Sequence, residues 1–239
     1  MHLSALENAD RFFKTYAHGL SDGTVVDIGA QNFNGSIADV CPKRFKYVGV
    51  DFVSGNGVDI VLDDPYKLPF GDATVDMVVA NSTFEHSEMF WLMFLEILRV
   101  LKPSGLFYLN APSNGPFHRY PVDCWRFYPD CGGALVNWAR RNRYDALLLE
   151  SYTSRQHLDV FNDFVAIFLK SETQLALYPD RIVHKLDGFT NAVVHGEPGL
   201  IRETDFPEDQ RKFHLRVKRN FWRLLRSQRF FKRAPDPKG

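Results

Sequence analysis

Thr24 to Ala30 reads TVVDIGA, a β-branched run that closes on an acid, an isoleucine and a glycine. Short runs of this kind, bounded by turn residues, form buried strands. Working outward, Tyr47 to Val50 (YVGV), Asp59 to Leu62 (DIVL), Val75 to Ala80 (VDMVVA) and Leu106 to Asn110 (LFYLN) repeat the pattern. From Ser87 to Leu101 nearly every position is apolar, Ser87 can cap the start and Glu88 suits the first turn, so a buried helix is expected there. Short buried strands alternating with helices predict right-handed crossovers and a mostly parallel sheet, a doubly wound Rossmann-like α/β fold. Tyr144 to Ser151 and Asp163 to Lys170 (DFVAIFLK) are spaced to pair as an antiparallel hairpin at the sheet edge.

On this reading one domain spans residues 1–170, and residues 171–239 are a C-terminal extension. Residues 171–210 are rich in loop formers and acids and read as weakly structured. Residues 211–233 hold ten Lys+Arg and no acid, against 18 Lys+Arg and 28 Asp+Glu in residues 1–210, so a basic tail follows an acidic body. Phe213, Val217, Phe221, Leu224 and Leu225 fall on one helical face, which predicts a basic amphipathic helix that docks on the acidic body or, as the second choice, lies on an anionic membrane.

Composition bounds the function. The apolar run Met89 to Leu98 is interrupted by Glu96 and is far short of the roughly 20 residues that cross a bilayer. The first residues, MHLSALENADRFFKTY, carry no signal-peptide pattern, so a cytoplasmic location is expected. Cys41, Cys124 and Cys131 show no CxxC spacing and no histidine in a ligand pattern, so free thiols and no metal site are expected. No G-x-G-x-x-G follows the first strand, which argues against a nicotinamide dehydrogenase.

Doubly wound sheets bind ligands beyond the carboxyl ends of their strands. Asp27-Ile28-Gly29-Ala30, Asp51, Asp63-Asp64 and Asn81-Ser82-Thr83 stand at those ends. Gly29 can admit a ligand close to the backbone, with a following helix N-terminus offering amides to an anion, and a carboxylate at Asp51 can accept from both hydroxyls of a ribose.

In order, VVDIGA, VGVD, LDDPYKLPF, VDMVVANSTFEHSEMF and EILRVLKPSGLFYLNAPS resemble the motif series of the class I S-adenosylmethionine-dependent methyltransferases, bacterial type 11 in particular, over about residues 20–170. The resemblance implies a seven-stranded sheet of order 3-2-1-4-5-7-6 with strand 7 antiparallel, and S-adenosyl-L-methionine as cofactor. It implies that Asp27, Gly29 and Ala30 line the methionine end, that Asp51 holds the ribose with Phe52 beside it, and that Asn81 lies near the methionine amino group. Asp63 and Asp64 would face the adenine. Pro65 lacks the N–H that the family supplies after its adenine acid, so Asp63 is expected to accept from the adenine amino group and the amide of Asp64 to replace the donor. The usual glycine-rich loop is replaced by Gln31-Asn32-Phe33-Asn34, whose amide side chains would hold the cofactor carboxylate with Phe33 packed beside it. Glu85-His86 matches the family's EH pair and is expected to fix its loop. Lys102 to Gly105 is expected to be a turn.

After the fifth strand, Ala111 to Pro129 (APSNGPFHRYPVDCWRFYP) gathers aromatic and charged residues among stiffening prolines. Such a segment can cap a core or form a pocket for a polar acceptor. It is similar to segments of bacterial methyltransferases associated with surface-polysaccharide synthesis, which implies O-methylation of a sugar or glycan intermediate. Small-molecule or RNA methylation and a non-catalytic cofactor-binding partner are the alternatives. Nucleic acid is disfavoured by the acidic body. His118 is the expected general base for a hydroxyl acceptor, oriented by Asp123.

Overall fold

The computed structural model describes residues 3–32, 35–156 and 161–204, and beyond them Val217, Asn220 and Phe221. One compact unit runs from Met1 to Thr204 and a second from Asp205 to Gly239. In the second unit Val217, Asn220 and Phe221 are helical, and the rest of the expected tail helix lies outside the described residues.

The first unit is built on strands β1 (Gly23–Ile28), β2 (Phe45–Asp51), β3 (Ile60–Val61), β4 (Val75–Asn81), β5 (Leu101–Pro112), β6 (Leu147–Ser154), β7 (Asp163–Leu169) and β8 (Phe189–Val194). They form one sheet of order β3-β2-β1-β4-β5-β7-β6-β8. The strands from β3 to β5 run parallel, and β7 is antiparallel to both β5 and β6. This is the expected order 3-2-1-4-5-7-6 with one strand added. β6 is therefore not the edge, because β8 pairs antiparallel with it.

Strands this apolar need cover on both faces. In β7, Phe164, Ala166 and Phe168 face the core under α2 (Phe90–Val100) and α3 (Cys131–Arg141). Val165, Ile167 and Leu169 face the core under α1 (Leu3–Tyr16). The α1 helix is seated by polar bonds as well as packing: Ser4 donates to Asp163 at 3.0 Å and Asn8 to Asn110 at 3.1 Å.

Several boundaries differ from the sequence expectation. The core does not close near Lys170. Tyr178, Ile182, Val183, Phe189, Ala192 and Val194 are buried in the α1-side core. The buried carboxylate of Glu150 draws this segment in, accepting from the Ile182 amide at 2.7 Å, the Val183 amide at 3.0 Å and the Tyr16 hydroxyl at 2.5 Å. A high content of acids and turn residues concealed a stretch in which these six apolar positions are buried. Ser87 does not cap α2, which starts at Phe90 after Met89. Lys102 to Gly105 is not a free turn but the start of β5, accommodated by a shift of register between Val75 and Met77.

Ending the chain after Lys170 should abolish cooperative thermal unfolding, because Glu150 would lose two amide donors inside a core stripped of its β8-side cover. A chain ending after Thr204 should keep a single cooperative transition, measured by circular dichroism at 222 nm (a wavelength of about 222 nm reports helix and sheet order).

Candidate active site

Two features bring the ends of β1, β2 and β4 together. The amides of Gly29 and Ala30 both donate to the Val50 carbonyl, at 2.9 and 3.2 Å, and the Thr83 hydroxyl donates to the Ile28 carbonyl at 2.9 Å. Gly29 has φ +78°, and a Cβ there would lie 2.2 Å from the Thr83 hydroxyl. The close approach that demands glycine is thus met by Thr83, a residue without a role in the sequence expectation. Among the described residues the first element after Gly29 is a 3-10 turn, Ile37–Asp39, and not the expected α-helix.

Asp27, Asp51 and Asn81 end these strands side by side in the sheet order. Asp27 is 4% exposed and its carboxylate accepts from the Tyr47 hydroxyl at 2.6 Å. Burial pushes its pKa up to about 7, against the lowering effect of the Tyr47 bond, and the neighbouring Asp51 pushes the same way as burial. Tyr47 was not singled out from sequence. Strand alternation is the signal that could have found it, since Tyr47, Gly49 and Asp51 share one face of β2.

Asp51 accepts from the Val53 amide at 3.1 Å and the Gln31 amide at 3.4 Å, which uses about half of the acceptor positions of a carboxylate. Phe52, next to it, is 52% exposed. Asn81 is buried, and its Oδ1 has no hydrogen-bond partner among the described residues. Asp63 and Asp64 are exposed after β3. Asp64 accepts from the Tyr66 amide at 2.8 Å in a turn of its own, so of the pair Asp63 has the less committed carboxylate.

The first loop departs from expectation. Gln31 donates its side-chain amide to the Ser54 carbonyl at 3.3 Å, and Asn32 accepts from the Gly35 amide at 2.9 Å. Both side chains hold the loop together. Phe33 and Asn34 lie outside the described residues.

Beyond β4, a 3-10 turn at Phe84–His86 carries Glu85 and His86 beneath the segment that follows β5. The amides of Cys124 and Trp125 donate to the Glu85 carbonyl at 2.7 and 3.3 Å, and the Trp125 indole donates to the Ser87 carbonyl at 2.9 Å. His86 Nδ1 meets the Val122 carbonyl. The expectation that this pair fixes a loop holds for its backbone and for His86. Glu85 is different: it is 1% exposed, its Oε2 has no partner among the described residues, and burial pushes its pKa up to about 8. Burial also lowers the pKa of His86.

The structure does bring His118 to this place, with its ring 5.0 Å from that of His86 at 88°. Its relation to Asp123 is not the expected one. Asp123 accepts the His118 backbone amide at 2.7 Å, whereas its oxygen lies 3.6 Å from Nδ1, too long for a hydrogen bond. The carboxylate is held by the Arg126 guanidinium through two bonds of 2.6 and 2.9 Å, which hold its pKa down to about 2. Asp123 therefore positions the loop backbone and does not polarise the imidazole. Sequence spacing showed Glu85-His86 and His118 as separate features, and nothing in it placed them together.

Residues 19–109 match the family model described as a methyltransferase domain. Over these residues the chain is similar to that family, and its sheet has the order and antiparallel seventh strand that the resemblance implies. Among solved structures it is similar to 1,6-didemethyltoxoflavin-N1-methyltransferase from Burkholderia thailandensis, at 17% identity over 71% of this chain and 79% of that one, with a TM-score of 0.54. Geranyl diphosphate C-methyltransferase from Streptomyces coelicolor A3(2) is similar at 12% identity over 69% of this chain and 78% of that one, with a TM-score of 0.50. At such identities the likeness is one of fold. No curated protein matches the sequence.

The site fits a cationic ligand. A carboxylate buried without a cation at Asp27 and an unpaired carbonyl oxygen at Asn81 both call for positive or N–H groups, which S-adenosylmethionine carries on its sulfonium and amino groups. No helix among the described residues is long and apolar enough to cross a membrane.

In the ligand-free protein Asp27 retains its proton to a higher pH than the same residue in the unfolded chain. The folded state then binds more protons between about pH 4 and pH 7, so this residue's contribution to stability falls as pH rises through that window and stays low above it. Asp27→Asn, which keeps an acceptor for Tyr47, should raise the melting temperature at pH 8 and change it little at pH 4. The expected gain is on the order of a few kcal/mol at most. Thermal melts without cofactor across this range check it.

Proposed function

We propose that the domain transfers the methyl group of S-adenosylmethionine to a hydroxyl of a sugar or glycan intermediate. The observation that carries this reading is a loop after β5 that displays aromatic and charged groups, in a sheet whose strand ends hold the polar side chains of Asp27, Asp51 and Asn81. Phe117, Tyr120, Trp125 and Tyr128 are exposed on that loop, and Trp125 is pinned by its indole bond to Ser87. Flat aromatic faces beside charged hydrogen-bonding groups suit the alternating C–H and hydroxyl faces of a sugar.

In this reading Asp51 accepts from the ribose hydroxyls with its unused lone pairs, Phe52 packs on the adenine, and Asp63 accepts from the adenine amino group while the Asp64 amide donates. Asp27 and the Asn81 oxygen face the cationic methionine end, with Gly29 and Ala30 forming the backbone floor. Bound S-adenosylmethionine supplies a methyl group already activated for displacement. The protein's part is to align the acceptor oxygen and to take its proton as the bond forms. His118, whose side chain is 40% exposed, is the member of the Glu85, His86 and His118 group best placed to reach an entering substrate. Asp123 serves it as a positioning residue.

Asp51→Ala should weaken binding of S-adenosylhomocysteine strongly, since two charge-assisted hydrogen bonds contribute about 1.5 to 3 kcal/mol each. Unchanged affinity by calorimetry would remove Asp51 from the site. His118→Ala should leave that affinity intact and lower methyl transfer by about 10²-fold. Transfer is read with labelled cofactor and fractions of nucleotide sugars, lipid-linked glycans, RNA and small metabolites. Label entering RNA, or an amine-bearing metabolite alone, would overturn the glycan hydroxyl as acceptor.

A further inference from the structure

Glu85, His86 and His118 each offer one ligand atom to a common space, and these atoms all lie within 4.8 Å of one another. Glu85 Oε1 is 3.8 Å from His86 Nε2. Its other oxygen, Oε2, is buried and without a hydrogen-bond partner among the described residues. A carboxylate in that position is costly unless a proton or a cation joins it. The nearby guanidinium of Arg126 does not serve, because it makes its two bonds to Asp123.

The two imidazoles are prepared in the same way. His86 Nδ1 meets the Val122 carbonyl, and His118 Nδ1 lies 3.2 Å from the Pro116 carbonyl. A carbonyl can only accept, so each ring carries its proton on Nδ1 and leaves the Nε2 lone pair bare. Metal-binding histidines commonly donate their second nitrogen to a backbone carbonyl in this fashion. The rings meet edge to face, so they do not stack over each other's nitrogens.

We propose that Glu85, His86 and His118 bind a divalent transition-metal ion. Two imidazoles and one carboxylate suit zinc or ferrous iron, whereas magnesium and calcium prefer oxygen ligands alone. Three protein ligands leave coordination positions open toward the mouth of the site. Metal–ligand bonds of about 2.0 to 2.2 Å require the ligand atoms to draw closer than they now stand. His118 can supply that movement, being the exposed member on a loop, while Glu85 and His86 are held by the Val122, Cys124 and Trp125 backbone.

The role of such an ion rests on the methyl-transfer part of the proposed function and replaces His118 as the group that deals with the acceptor's proton. An acceptor hydroxyl bound at an open position would release its proton to solvent as its oxygen becomes a ligand. The His118 lone pair would then hold the ion and would not take the proton.

The full chain, stripped with a chelator, is titrated with Co²⁺ and followed by its visible absorption, with Zn²⁺ and Mg²⁺ as competitors. One equivalent should bind, Zn²⁺ should displace it and Mg²⁺ should not. Affinity should fall by about tenfold or more in His118→Ala and in Glu85→Gln and remain unchanged in His184→Ala, a surface histidine paired with Glu197. His118→Ala keeps the test decisive if Glu85→Gln does not fold. Absence of saturable binding, equal affinity in His118→Ala, or displacement by Mg²⁺ at similar concentration would overturn the site. The titration needs neither cofactor nor acceptor. Retained S-adenosylhomocysteine binding without metal binding would therefore sink the metal site alone, and the reverse result would sink only the methyl-transfer reading.

Discussion

The Val50 carbonyl accepts two consecutive amides, from Gly29 and Ala30, and this bond pair turns the chain at the end of β1 across the end of β2. The Thr83 hydroxyl, filling the space where any other residue at position 29 would place a Cβ, adds the end of β4 through the Ile28 carbonyl. The placement of Asp27, Asp51 and Asn81 depends on this knot. It also commits the backbone after β4 to a tight course, with Ser82 at φ +52° and its amide on the Asn110 carbonyl, which leads into Phe84, Glu85 and His86. Asn81 at the end of β4 and the turn that holds Glu85 and His86 are therefore consecutive parts of one piece of main chain.

Buried acids in the fold divide by how their charge is met. Glu150 accepts from a hydroxyl and two amides, and its work is to bind the β8 segment to the body. Asp123 is satisfied by Arg126 and the His118 amide and holds a loop. Asp27 has one phenol and a like-charged neighbour, and Glu85 has an oxygen with no donor among the described residues. Acids satisfied by the protein are structural supports. Asp27 and Glu85 are left short of positive charge, which a cationic cofactor and a metal ion would supply in the proposed reading.

The segment after β5 owes its shape to the same economy of polar groups. The Glu85 carbonyl, left free at the end of a three-residue turn, takes the amides of Cys124 and Trp125, and Phe127 is buried against Phe84, Phe90 and Phe164. One aromatic of the segment is thus core while Tyr120 and Tyr128 remain exposed. The cap reading of this segment applies to Phe127.

Periodicity and turn residues in the sequence alone determined the parallel strands, the buried α2 region and the β6–β7 hairpin, because a strand covered on both faces must be apolar throughout. Strand-end acids likewise marked Asp27 and Asp51 before any coordinates. The tertiary structure decided what depends on partners distant in the chain. β8 joined the sheet because Glu150 needed amide donors that a local pattern cannot announce. Gln31 and Asn32 were turned into their own loop by the Ser54 carbonyl and the Gly35 amide. Asp123 was claimed by Arg126 at a distance where His118 could not compete. Glu85, His86 and His118 became one group only when the segment after β5 folded back on the turn after β4, since hydrogen bonds between main-chain groups carry no signature in the side chains that they bring together.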